Sequence, residues 1–273
     1  MKIPFMKMSG SGNDFILVDH RQPVLPEGQM KELAQKACRR RVSVGADGLI
    51  FIERSDKADF KWQFFNADGS VAEMCGNGGR CAARFAYLRG ISGPSLTFET
   101  LAGILSARVD GRRVKLEMTR PYGLALDEQI SIEGKALTVS RINTGVPHAV
   151  LFLKDFQDLD VIRTGRMIRN HPLYAPSGTN TNFVSVENDT RLFVRTYERG
   201  VEDETLACGT GAVASALVAA FKGWVKSPVS IKTRGGEILT VHFELEAAEV
   251  KRVFFEGDVR VIYEGEMWEE AYV

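Results

Sequence analysis

The sequence predicts a mixed α/β protein of the α+β kind, with two pseudo-symmetric halves, each a curved mixed or antiparallel sheet wrapped around a central helix. Three observations carry this expectation. The chain repeats itself: Cys75 and Cys208 lie 133 residues apart, and at that offset Gly12 matches Gly145, Gly45 matches Gly178, Gly76 matches Gly209, Gly78 matches Gly211, Gly90 matches Gly223, Thr100 matches Thr233 and Gly103 matches Gly236. Each half is dominated by short runs of aromatic and β-branched residues with few parallel crossovers. Each half also has one small-residue run that opens on a cysteine, CGNGGRCAARFAYLRG or CGTGAVASALVAAFKG, whose alanines let a sheet approach closely.

In the first half a strand is expected over Phe15 to Val18, then an amphipathic helix over roughly 27–40 with Leu33 and Ala37 inward. GLIFIE (48–53) and FKWQFFN (60–66) read as strands, and Asp68-Gly69 as a turn before the Cys75 helix. SLTFET, GILSARV and RRVKLEM follow as strands, the last two joined at Asp110-Gly111 by a two-residue hairpin. Thr119-Arg120-Pro121-Tyr122-Gly123 marks the boundary, giving halves of 1–120 and 121–273. The second half repeats the plan with HAVLFL, a helix near 158–169, NFVSV, LFVRTYE, the Cys208 helix, VSIKT and ILTVHFE. The tail VIYEGEMWEEAYV has no counterpart; from about 260 to 273 it is expected to close a sheet, packing back on the first half, or to form a dimer contact.

Hydrophobic residues make up 44% and charged residues 26%, the balance of a globular protein. Lys plus Arg equals Asp plus Glu at 35 each, which argues against nucleic acid or an anionic membrane and for a small ligand. The start lacks a signal-peptide pattern and no run of about 18 apolar residues occurs, so a cytoplasmic location is expected. Four cysteines do not make a disulfide framework, and their spacings fit no zinc site; free thiols and no metal are expected.

Helix N-termini present unpaired N–H groups and partial positive charge. A thiol there is expected to ionise below the usual value of about 8.5, making Cys75 and Cys208 bases or nucleophiles. The N–H groups of Gly76, Asn77, Gly209 and Thr210 stay open to a substrate carboxylate. Cys38 and Cys81 read as buried hydrophobes. SGSGNDF lacks the third glycine and helix of a dinucleotide site. His148 could orient a catalytic group or be a hydrogen-bonded core residue; His20, His171 and His242 read as surface or structural. In the charged run ERGVEDET (198–205), nearness to Cys208 singles out Glu198 and Arg199.

SGSGNDF at 9–15, VGADG at 44–48, FFNADGSVAEMCGNGGRC at 64–81, GVPHAV at 145–150, GTNTNF at 178–183 and YERGVEDETLACGTGA at 197–212 together resemble the successive motifs of the diaminopimelate epimerase family, over nearly the whole chain. That resemblance implies two similar α/β halves with the site in the cleft between them. It implies interconversion of LL- and meso-diaminopimelate, on the lysine and peptidoglycan precursor route, without a cofactor. Cys75 and Cys208 would be the acid/base pair, one thiolate removing the α-proton and the other thiol delivering one to the opposite face. Asn13, Asn66, Asn180 and Arg199 would hold the non-reacting end, Glu198 and His148 would lie beside the reacting centre, and the protein would be a homodimer. Two departures are Val146, where many members have asparagine, and Gly48, where some have glutamine.

Other readings stay open at this point. Another cofactor-independent amino-acid racemase would keep both cysteines and change the distal pocket. A redox pair would form a Cys75–Cys208 disulfide as its working chemistry, and a binding protein would hold its ligand without exchanging the α-hydrogen.

Overall fold

A computed structural model describes residues 2–246 and 249–272. The chain divides into two compact units, Met1–Glu117 with Gly257–Val273, and Met118–Glu256.

In the first unit, β1 (Ile3–Gly10), β2 (Asn13–Asp19), β3 (Gly48–Glu53), β4 (Phe60–Asn66), β5 (Ser95–Thr100), β6 (Gly103–Asp110) and β7 (Arg113–Glu117) lie side by side in sequence order. The β2–β3 and β4–β5 pairs are parallel and the others antiparallel. The distal part of the long strand β16 (Glu249–Met267) pairs antiparallel with β1, from Ile3↔Met267 to Gly10↔Val259, and Val259 N–H also bonds to the Arg112 carbonyl. Both outer strands of the unit's sheet are thereby met by one segment, which leaves their ladders without a bare edge. Helix α1 (Met30–Ala37), preceded by a 3-10 turn at Glu27–Gln29, covers the sheet's outer face with Met30, Leu33, Ala34 and Ala37.

Helix α2 (Gly76–Leu88) is the buried axis of this unit, with every residue from Gly76 to Ala83 enclosed. Its opening Gly-Asn-Gly-Gly is poor helix-forming sequence, so tertiary packing must hold it. A Cβ on Gly79 would come 2.8 Å from Leu116 Cδ2.

The second unit has the same internal plan. After β8 (Tyr122–Ile132), the strands β9 (Lys135–Asn143), β10 (Pro147–Phe152), β11 (Asn180–Asn188), β12 (Arg191–Glu198), β14 (Val229–Thr233), β15 (Ile238–Glu246) and the proximal part of β16 follow one another, with β10–β11 and β12–β14 parallel. A short strand β13 (Asp203–Thr205) pairs with β12. Helix α3 (Val161–Arg169) lies against β11 and β12, so tightly at Gly165 that a Cβ there would sit 2.4 Å from Tyr197 Cβ. Helix α4 (Gly209–Phe221) is the axis, apolar all round and buried from Gly211 to Ala219.

Both axial helices end alike. Gly90 N–H bonds to the Tyr87 carbonyl and Ile91 N–H to Ala86; Gly223 N–H bonds to Ala220 and Trp224 N–H to Ala219. These are Schellman closures, and they need a left-handed residue after the cap, which explains the matched glycines at φ of 65° and 75°.

The structure revises several sequence expectations. The helix expected over 27–40 is α only over Met30–Ala37. The β6–β7 turn sits one residue later than expected: Asp110 pairs with Arg113, leaving Gly111-Arg112 as the loop with Gly111 at φ 58°. Strands β1, β8, β9 and β13 had no sequence expectation. No helix among the described residues is long and apolar enough to cross a membrane.

Candidate active site

In the first unit, Cys75 is the N-cap of α2, in extended conformation at φ −146° and ψ 118°, with its Sγ accepting from Gly78 N–H at 3.4 Å. Three buried or half-buried amide and carboxylate groups are tied to the same turn. Asn77 donates to Asn13 Oδ1 at 2.7 Å, and Asn13 donates to Asp47 Oδ2 at 2.9 Å. Arg80, fully enclosed one turn into the helix, gives Nη2 to Asn77 Oδ1 at 2.7 Å and to Ser11 Oγ at 2.6 Å, and Nη1 to the Asp258 carbonyl at 3.3 Å. The β1–β2 loop is thus bolted to the Cys75 turn. Asn66 stands apart from this chain of bonds, at the end of β4, where its amide donates to Ser70 Oγ at 2.9 Å.

Asp14 lies beneath the loop. Burial pushes its carboxyl up, but bonds from Arg40 and Lys7 outweigh that and hold it at about 2. Asp14 is therefore an anion at any physiological pH.

In the second unit, Cys208 is the N-cap of α4, with Sγ 3.6 Å from Thr210 Oγ1. The β12–β13 hairpin brings Glu198 to it. Glu198 takes a 2.6 Å bond from Thr205 Oγ1, and its carboxyl lies near enough to act electrostatically on the Cys208 thiol. Burial raises the Glu198 pKa, with the Thr205 bond and the nearby Cys208 thiol opposing. Next along the hairpin, Arg199 N–H donates to Asn180 Oδ1 at 2.8 Å and its Nη1 to the Ser177 carbonyl at 3.2 Å. Thr144 Oγ1 fixes the Thr210 carbonyl at 3.1 Å. His148 is buried on β10 against Asn182.

So the first unit gathers Asn13, Cys75, Gly76 and Asn77, and the second gathers Asn180, Glu198, Arg199, Cys208, Gly209 and Thr210. Sequence reasoning missed Asp47, Arg80, Thr144, Asn182 and Thr205. Asn182 had a usable signal, since it lies two residues from Asn180 and shares its face of the strand. Among the described residues no group of three or more His, Cys, Asp or Glu is placed to hold a metal ion.

The comparisons with known proteins show the family. A family model described as Diaminopimelate epimerase matches residues 5–123 and 140–261. The chain belongs to the diaminopimelate epimerase family. The diaminopimelate epimerase of Aquifex aeolicus (strain VF5) is 49% identical over 278 residues, covering 98% of both chains, and that of Hydrogenobaculum sp. (strain Y04AAS1) is 43% identical, covering 97% of this chain and 99% of the relative. Among solved structures, a hydroxyproline epimerase from Agrobacterium vitis aligns with a TM-score of 0.72 at 16% identity, over 98% of this chain and 93% of the other, a likeness of fold. As a member of this family the protein is an isomerase of the epimerase type.

Within the family, the departure at Gly48 has a local cause here. A Cβ at that position would sit 2.5 Å from Phe64 Cε2 and 2.8 Å from the Phe65 carbonyl oxygen, so β3 and β4 leave no room for glutamine. Val146 contributes its carbonyl, which accepts from Thr144 N–H at 3.1 Å; nothing in the structure explains its side chain.

The expectation that helix starts acidify both thiols is overturned. Burial raises the Cys75 pKa, outweighing the Gly78 and Asn77 N–H groups and the Arg80 charge. Cys208 is pushed well above its ordinary value, by burial first and then by the Glu198 carboxylate, against the Thr210 hydroxyl. Desolvation of a thiolate wins because the helix-end field is worth only about 0.3–1 kcal/mol in ordinary settings. Both shifts lie above the ordinary thiol value, so both thiols are neutral at pH 7. Carboxamidomethylation by iodoacetamide, followed by mass spectrometry from pH 6 to 10, is expected to modify Cys208 more slowly than free cysteine at pH 7 and to accelerate above pH 9. Rapid, pH-independent labelling of Cys208 at pH 6 would contradict a neutral thiol.

Proposed function

We propose that the protein interconverts LL- and meso-diaminopimelate by two-thiol proton transfer without a cofactor, as a step toward lysine and peptidoglycan precursors. The observation that carries this reading is that each motif cysteine caps the buried axial helix of its own unit, in equivalent sequence settings. A single base returning its own proton from the same side would restore the starting configuration, so inversion calls for two.

In one direction the Cys208 proton moves to Glu198, whose raised pKa makes it a fitting acceptor, and the thiolate takes the α-proton: C–H breaks and S–H forms. The electron pair is left on the α-carbon and its carboxylate, which N–H groups of Gly76, Asn77, Gly209 and Thr210 stabilise. The Cys75 thiol then gives its proton to the other face, and the reverse direction exchanges the roles. Arg199 grips the distal carboxylate with two bonds, while Asn13, Asn66 and Asn180 complete that end; an amino acid lacking the second carboxylate would leave the guanidinium poorly matched and is rejected. The working form in this reading is a cytoplasmic homodimer.

The test is incubation of LL-diaminopimelate with the protein in heavy water. The expected result is meso product carrying one solvent deuterium at one α-carbon, formed faster than any racemised single-headed amino acid. Faster turnover of a single-headed amino acid would move the assignment to another racemase. Full activity in an oxidised Cys75–Cys208 form would favour redox chemistry instead.

A further inference from the structure

The two ring nitrogens of His148 have different surroundings. Nδ1 lies 3.0 Å from Asn182 Nδ2. The direction of that contact follows from the other bonds of the Asn182 amide: Nδ2 also donates to the Ala149 carbonyl at 3.1 Å, and Oδ1 accepts from Thr196 Oγ1 at 2.9 Å. Turning the amide over would set two oxygens against each other at Ala149, because a carbonyl can only accept. Nδ2 is therefore the donor to His148, and Nδ1 carries no proton.

Burial, with the Arg199 guanidinium adding to it, lowers the imidazole to about 3, so the ring is neutral at physiological pH. A neutral ring with a bare Nδ1 holds its proton on Nε2. That nitrogen is buried and meets no hydrogen-bond partner among the described residues. A buried N–H left open is uncommon in native proteins and calls for an acceptor supplied from elsewhere. Arg199, whose field reaches the ring, makes an anion the favoured one.

We propose that Asn182 is a positioning residue that holds His148 as an Nε2–H donor, and that this N–H binds a carboxylate oxygen of the substrate. The identity of the substrate rests on the reading above; the tautomer does not. The same geometry removes two other roles from His148. With a proton already on Nε2 it cannot accept one there as a general base, nor can it accept a hydrogen bond from a substrate ammonium at that atom.

The experiment is proton–nitrogen correlation spectroscopy of the full chain labelled with nitrogen-15 histidine. The four histidines are assigned with His20→Gln, His171→Gln and His242→Gln variants, so the buried ring stays intact. His148 is expected to show the Nε2–H tautomer unchanged from pH 5 to 8, and its Nε2 proton to shift when diaminopimelate saturates the protein. Asn182→Asp, which offers Nδ1 an acceptor, is expected to lose the Nε2–H tautomer in favour of Nδ1–H or the imidazolium. An Nδ1–H tautomer or an imidazolium in the wild type overturns the role of Asn182. An Nε2 proton that stays unmoved by diaminopimelate, in protein that exchanges the α-hydrogen, overturns the donor role. Failure of the epimerase reading shows separately, as no α-deuterium exchange while the wild-type tautomer remains as stated.

Discussion

Cys75→Ala and Cys208→Ala are each expected to lower epimerisation by at least about 10³-fold, within the range general acid–base groups supply. A loss of that size corresponds to about 4 kcal/mol of transition-state stabilisation. The two variants should not fail in the same way. In the proposed mechanism each face of the α-carbon is served by one thiol, so removing a thiol blocks both deprotonation from its own side and delivery to that side. One epimer then still surrenders its α-proton to the remaining thiol and regains a solvent deuteron with retention, giving exchange without inversion; the other epimer does neither. The variants should trade which epimer exchanges. Cys38→Ala is the control, since Cys38 is buried in the apolar cluster beside α1 with its thiol pushed to about 12 by burial, and the substitution is expected to leave epimerisation unchanged. Proton nuclear magnetic resonance of each epimer in heavy water reads both quantities at once. Equal inversion rates in wild type and either cysteine variant would end the two-thiol mechanism.

Much of this arrangement was legible before the fold was known, and the reason is physical. The axial helices are short-range objects: a capping cysteine, small residues along the shaft and a glycine after the last turn are all local. Their 133-residue repeat puts α2 and α4 at matching bounds, Gly76–Leu88 and Gly209–Phe221. Strands β3, β4, β5 and β14 likewise declare themselves through aromatic and β-branched runs. By contrast, β8 carries almost no inward face, with only Ile130 and Ile132 buried over eleven residues, so alternation had little to show. The strand β16 extends over 19 residues of charge-rich sequence with Gly257 in its middle; its proximal part pairs with the neighbouring β15, but its distal part is kept extended by β1, far away in the chain.

The site divides in the same manner. Cysteines, asparagines and the Glu198-Arg199 pair announce themselves by type and neighbourhood. Arg80 does not: an arginine within a helix is ordinarily surface, and its burial is made possible by Ser11, 69 residues away, and the Asp258 carbonyl, 178 residues away. The thiol pKa direction was misread because the helix-start contribution is visible in sequence, whereas the larger desolvation contribution exists only once the surrounding strands are in place. At Cys208 burial does most of this, and the carboxylate that the hairpin delivers at Glu198 adds to it.

The repeat also conceals an inequality that a single methyl group can expose. Gly78 and Gly211 occupy matching places in the two axial helices, yet their neighbours differ in how they can yield. A Cβ at Gly78 would meet Ile50 Cδ1 at 3.3 Å, the free end of an aliphatic chain that can turn aside. A Cβ at Gly211 would meet Asn182 Oδ1 at 2.3 Å and Cys208 Sγ at 3.2 Å. Asn182 cannot retreat without giving up Thr196, Ala149 or His148. Gly211→Ala is therefore expected to displace the first turn of α4 together with its thiol, costing about 1–3 kcal/mol of stability as overpacking and, through misplacement of the thiol that the proposed mechanism uses, about 10²-fold in kcat. Gly78→Ala should cost less on both counts, and Gly28→Ala, with nothing within 4 Å of the new atom, should alter neither. Denaturant titration gives the stability and steady-state turnover the rate. If Gly211→Ala matched Gly78→Ala in both measurements, Asn182 would not be the rigid wall between His148 and the Cys208 turn that its bonds describe.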